Sequence, residues 1–166
     1  MRREFLIAAV SVFLSILSPC AMADGCREDL LKIKKIPMKS GMPVSDKAYL
    51  RLIREGVDNN RCLVMLISDE TVITPNPQES ALYSDATVGD IAVEMLARIN
   101  KVDFILFAPD SVKRLYAKDG AYGYYGWVSS PGNSRIMMKS TCRYLSARGL
   151  FLRSKGPPLA CERSPK

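Results

Sequence analysis

Thr87-Val-Gly-Asp-Ile-Ala-Val-Glu-Met-Leu-Ala-Arg-Ile-Asn100 decides the fold class of this 166-residue chain. Val88, Ile91, Ala92, Met95, Leu96 and Ile99 recur at the three-and-four spacing that gathers side chains on one face of an α-helix. Thr87 suits the N-cap, where a side-chain oxygen accepts from an otherwise unpaired amide. Asp90 falls three residues on, where a carboxylate meets the positive end of the helix.

Working outward, Ser45 or Asp46 caps a second helix that runs to Glu55, with Tyr49, Leu52 and Ile53 inward and Gly56 as its stop. Asn59 or Asn60 opens a third, with Cys62, Leu63, Leu66 and Ile67 inward. Two short helices joined through Gly56 predict an antiparallel αα-hairpin. Residues 27–35 read as a short helix ended by Pro37, and Thr71–Asp85, with Pro75, Asn76 and Pro77, as a loop. Downstream, Phe104-Ile-Leu-Phe107 reads as a strand or a buried loop. Asp110 is placed as the cap of a helix to about Lys118. Gly120–Gly132 reads as a loop or irregular hairpin, and Asn133 or Ser134 opens a last helix to Arg148, closed by Gly149 at C′. Phe151-Leu152 then tucks back, ahead of a tail tethered by Cys161. The expectation is an all-α domain.

The N-terminus reads as an address. Arg2 and Arg3 precede the apolar run 5–17, and Ala21-Met-Ala23 completes an A-x-A cleavage pattern. A run of thirteen residues falls short of the roughly 20 that a membrane span needs. Residues 1–23 are therefore assigned as a secretory signal and 24–166 as a single helical domain, with no transmembrane span. The expected location is the periplasm. A lipoprotein attached at Cys20 is the minority alternative, since Leu17-Ser-Pro-Cys20 places proline where lipidation sites want a small residue.

Cleavage after Ala23 leaves Cys26, Cys62, Cys142 and Cys161, an even number for an oxidising compartment. Four cysteines allow three pairings. The preferred pairs are Cys26–Cys62 and Cys142–Cys161, which close short loops and tie the first helix to the hairpin and the tail to the last helix.

The run from Tyr49-Leu-Arg-Leu-Ile-Arg-Glu-Gly56 through Cys62-Leu-Val-Met-Leu-Ile-Ser-Asp69 to Thr87-Val-Gly-Asp-Ile-Ala92 resembles HEAT-like helix-pair proteins. It is also similar to small exported bacterial proteins, immunity-protein-like, in which a Val-Gly-Asp-Ile-Ala helix precedes a Tyr/Trp-rich segment and a basic final helix. The resemblance spans about residues 45–150. It implies a helical interaction scaffold and carries no catalytic residue across. No repeat at a fixed period accompanies it, unlike a true solenoid.

Chemistry is narrowed by composition. The chain has no histidine, which removes the commonest general base and metal ligand and every Ser-His or Cys-His nucleophile pair. No lysine follows a serine by three residues, and the glycines of Gly120-Ala-Tyr-Gly123-Tyr-Tyr-Gly126 fit no phosphate-loop spacing. No catalytic residue, cofactor or metal site is assigned. Asp69-Glu70, Asp85 with Asp90, and Asp103 with Asp110 are the carboxylates available for a glycosidase pair, which needs one partner with a raised pKa. Tyr122, Tyr124, Tyr125 and Trp127 either pack as core or form a stacking platform for sugars or a protein hot spot.

The net charge of +7 is unevenly spread. Residues 57–110 carry 3 basic and 9 acidic groups, whereas residues 135–166 carry 8 basic and a single Glu162. Arg135, Lys139 and Arg143 recur every four residues and share one helix face. That face is either solvated surface, a complement to the acidic middle of the chain, or a docking face for an acidic partner. The export signal argues against nucleic acid. The leading expectation is a periplasmic protein-binding protein, most concretely an immunity-type inhibitor of a toxin with an acidic surface. The alternatives are an envelope protein that binds or cleaves carbohydrate and an envelope structural protein.

Overall fold

The computed structural model describes residues 19–34, 46–73 and 86–162. Along them run α1 (Pro19–Lys32), α2 (Lys47–Glu55), α3 (Asn60–Leu66), α4 (Val88–Asn100), α5 (Asp110–Asp119), α6 (Ala121–Val128) and α7 (Asn133–Ala147). Short 3-10 turns occupy Gly56–Asn59, Phe104–Phe107 and Ala160–Glu162. The only β-type contact among the described residues is an antiparallel bridge between Val72 and Thr87. The chain is all-α, as its periodicity dictates. The apolar run 5–17 and Pro37 lie outside the described residues, and no described helix is long and apolar enough to cross a membrane.

The core is built on α4. Val88, Ile91, Ala92, Met95 and Leu96 are all fully buried. The Thr87 hydroxyl accepts from the Asp90 amide at 3.2 Å, and the Thr87 amide donates to the Asp90 carboxylate at 2.9 Å. This reciprocal capping box satisfies two amides that the first turn leaves unpaired. At the other end Lys101 adopts φ 54, and the amides of Lys101 and Val102 reach back to the carbonyls of Arg98 and Ala97 in a Schellman closure. Gly89 lets the first turn of α4 lie against the end of α3, because a Cβ there would strike the Ile67 carbonyl.

α1 packs on α2, α3 and α4, and the Cys26–Cys62 disulfide joins it to α3. The predicted α2/α3 hairpin does not form. The turn Gly56–Asn59 separates the two helices, and α1 and α4 supply the surfaces on which each buries its apolar face. α1 also ends at Lys32, short of residue 35. The Ile33 amide bonds back to Leu30, whereas the Lys34 amide leaves the helix for the Asp46 carboxylate at 2.6 Å. Asp46 is the α2 cap, accepting from Tyr49 at 2.9 Å. The buried Asn60 and the half-buried Asn100 exchange side-chain amide hydrogen bonds of 3.1 and 3.0 Å, and Asn60 also donates to the Leu150 carbonyl. The three ends they join come from α3, α4 and α7.

Three further expectations are corrected in the second half. Phe104–Phe107 is a 3-10 turn, neither strand nor loop, with the Asp103 carboxylate accepting from the Ile105 amide at 3.2 Å. Asp110 is the first residue of α5, not its cap; the Pro109 carbonyl takes the amides of Val112 and Lys113, and Asp110 pairs with the Lys113 ammonium at 3.0 Å. Most consequentially, the predicted aromatic loop is helix α6. It folds back on α5 through Gly120, and a Cβ at Gly123 would sit 2.7 Å from the Leu115 carbonyl oxygen. Absence of a side chain there lets the two backbones touch.

α7 ends as its sequence suggests. Gly149 has φ 66, and the amides of Gly149 and Leu150 cap the carbonyls of Ser146 and Leu145. Phe151 tucks into the core, but Leu152 beside it is 90% exposed. The tail is held by the Cys142–Cys161 disulfide and by Arg61, whose guanidinium grips Glu162 with two bonds of 2.9 and 2.8 Å. Arg61 also donates to the carbonyls of Ser154 and Gly156. This bidentate pair is mostly screened from water, and the Arg61 Nη1 donors are satisfied by main chain.

Candidate functional site

α6 disperses the four aromatic candidates because successive residues on a helix point in different directions. Tyr124 is buried, with its ring 4.8 Å from Phe104 and 5.1 Å from Tyr125 in edge-on contacts. Phe104 in turn meets Tyr116 of α5 at 5.7 Å. Burial, with Asp90 and Tyr125 adding to it, pushes the Tyr124 hydroxyl far above the ordinary tyrosine range, so it stays neutral. Tyr124 is core. Tyr125 and Trp127 are half-buried against that core, and Tyr122 is 71% exposed.

Arg135, Lys139 and Arg143 all lie on the solvent face of α7, with Ile136 beside them 48% exposed. None of the three pairs with a carboxylate among the described residues. The acidic middle is engaged elsewhere: Asp58 with Lys155, Asp69 with Arg27, Glu94 with Arg98 and Asp110 with Lys113.

Between the Val72–Thr87 bridge and the α6–α7 turn lies an open groove of about 880 Å³. It brings together Tyr124, Tyr125 and Arg135 from the candidate residues, and Asp69, Glu70 and Asp90 from the carboxylates. Tyr122, Trp127, Lys139 and Arg143 do not line it. The sequence grouped Asp90 with Asp85, which lies outside the described residues; the fold sets Asp90 near Asp69 and Glu70 instead. The bridge causes this, since it folds the chain after α3 back beside the start of α4.

The groove's carboxylates have structural duties. Burial pushes the Asp69 carboxyl up, but bonds from the hydroxyl and amide of Thr71 and the Arg27 guanidinium outweigh it and hold the group below the ordinary range. The Arg27–Asp69 contact is 2.6 Å. Asp90 is bound by Thr87 in the capping box, and Glu70 accepts from the Ser134 hydroxyl at 3.3 Å. A glycosidase acid must hold its proton near neutrality, and Asp69 releases its proton more readily than a free carboxyl. Asp69 is therefore not suited to be the proton donor of such a pair.

Ser134 and Ser129 on the rim carry no warning in the sequence: single serines become site residues only through the path of the backbone. The Ser129 and Ser130 hydroxyls both donate to the Gly126 carbonyl, and the Asn133 amide donates to the Trp127 carbonyl at 2.8 Å. These bonds fix the α6–α7 turn and so the groove's edge. No family model matches the chain, and neither does any curated protein or solved structure.

Proposed function

We propose that this chain is an exported protein that acts by binding another protein, most concretely an immunity-type inhibitor that shields its host from a toxin acting in the periplasm. The observation that carries this reading is the α7 face. Arg135, Lys139 and Arg143 stand exposed, with Ile136 at the edge of their stripe, and without counter-ions among the described residues. Charge set at four-residue spacing on a rigid helix steers an acidic partner and fixes its register, while the apolar side chain at its edge supplies contact area. Two disulfides bracing a small helical domain suit an oxidising compartment. Inhibition needs only that this face occlude a cleft in the toxin.

The test is capture from periplasmic extract by the full chain and by an Arg135→Glu/Lys139→Glu/Arg143→Glu variant. The parent retains an acidic protein in low salt and loses it as salt rises, and the variant retains none. A toxin encoded beside this chain is inhibited by the parent and not by the variant. Equal capture by both proteins, or no capture by either, sinks the proposal.

A second reading is carried by the groove, where Tyr125 lies beside Asp69, Glu70 and Arg135. An aromatic face flanked by polar groups suits a sugar of an envelope polymer. Cosedimentation with peptidoglycan that Tyr125→Ala abolishes favours this reading over the first.

A further inference from the structure

A second, independent concentration of positive charge lies on the opposite part of the sequence, where the chain leaves α1 and enters α2. A pocket of about 580 Å³ there is lined by Lys32, Lys34, Lys47 and Arg51 and by only two carboxylates, Asp29 and Asp46. Its volume falls in the range of small-ligand sites.

Both carboxylates are already spent. Asp46 gives one oxygen to the Tyr49 amide and the other to the Lys34 amide. Asp29, 6% exposed, is paired with the Arg51 guanidinium. Lys32 reaches Glu28 at 3.3 Å on the outside of α1. That leaves Lys34 and Lys47, which both line the pocket, with no counter-ion among the described residues. The Asp46 bridge creates this juxtaposition. By holding the Lys34 main chain against the first turn of α2, it brings two lysines 13 positions apart to one concavity. With Lys32 paired to Glu28 and Arg51 to Asp29, the two ammonium groups left without a carboxylate supply a charge of +2.

We propose that this pocket binds a phosphate-type dianion, held by the Lys34 and Lys47 ammonium groups with the Arg51 guanidinium at its edge. A dianion matches the charge of these two ammonium groups, whereas a single carboxylate leaves one of them unmatched. Lysine acts on phosphate as a point charge, so the site needs no bidentate fork. Free phosphate and the phosphomonoester headgroup of a lipid present the same chemistry. The proposal does not rest on the α7 reading.

The experiment is calorimetric titration of the full chain with inorganic phosphate in a phosphate-free, low-salt buffer, beside cosedimentation with phosphatidic acid or phosphatidylcholine vesicles. Saturable one-to-one phosphate binding is expected, weakened about tenfold in Lys34→Gln/Lys47→Gln by the loss of two nearby charges. The Arg135→Glu/Lys139→Glu/Arg143→Glu variant keeps that binding. Phosphate binding without vesicle binding assigns a free ligand; binding to phosphatidic acid but not phosphatidylcholine, lost in the double lysine variant, assigns a headgroup. Absence of saturable binding to both probes, or unchanged affinity in a double variant with parental circular dichroism, overturns the proposal.

Discussion

α4 and α6 are both helices, but opposite means hold them. α4 carries a capping box at one end, a Schellman closure at the other and a buried apolar stripe between. α6 has no side-chain cap, and Tyr124 is its one fully buried side chain. Its interior glycines, Gly123 and Gly126, together weaken it by roughly 2 kcal/mol relative to alanine. α6 is a helix because α5 offers it a backbone to lie on at Gly123 and because Phe104 receives Tyr124. One element is stabilised from within its own sequence, the other from its neighbours. Both elements line the groove, the start of α4 on one side and α6 on the other.

Substitutions can break this contrast. The largest effect belongs to the α4 stripe: Leu96→Ala empties a fully buried site and is expected to cost about 2–5 kcal/mol in urea unfolding under non-reducing conditions. A loss below about 1 kcal/mol would place the core elsewhere. Gly123→Ala comes next. Its Cβ meets the Leu115 main chain, which cannot swing aside as a side chain can, so an overpacking loss of about 1–3 kcal/mol is expected.

Removing the cap with Thr87→Ala is expected to cost about 1 kcal/mol. It also removes the Thr87 hydroxyl's bond to Asp90 beside the groove, and faster amide exchange in the first turn of α4 is the accompanying sign. The smallest effect has the opposite sign. A Cβ at Gly126 meets nothing within 4 Å, so Gly126→Ala should stabilise the protein by about 0.5–1 kcal/mol. Should the alanines at 123 and 126 act alike, α6 is not held at Gly123 and the contrast with α4 fails.

Legibility follows the same division. The α2 cap at Asp46, the inward residues of α3, the α4 stripe and the Gly149 closure all rest on interactions within a few residues of chain, and periodicity and capping chemistry expose them. The α6 helix was not legible, because glycine and tyrosine at Gly120–Gly126 lack both a stripe and a helix-forming composition. The α2/α3 hairpin is not legible either, because adjacency in sequence does not fix packing partners: α2 and α3 each pack on α1 and α4. The basic face was legible as spacing on one helix, but whether the acidic middle would neutralise it was not. Asp58, Asp69, Glu94 and Asp110 each have other partners.

The amino-acid sequence by itself determined the all-α class, the bounds of α2, α4 and α7 within a residue or two, and the basic face of α7. Those features depend on local hydrogen bonding and on the 3.6-residue repeat, which any stretch of chain carries with it. Tertiary structure alone decided that Gly120–Val128 turns back as a helix, that Tyr124 is core while Tyr122 faces water, and that Asp69, Glu70 and Asp90 share a groove. Each of these depends on which distant surface is free to receive a side chain. A single bridge between Val72 and Thr87 and a close approach at Gly123 settle it, and neither has a periodic signal for sequence reading to find.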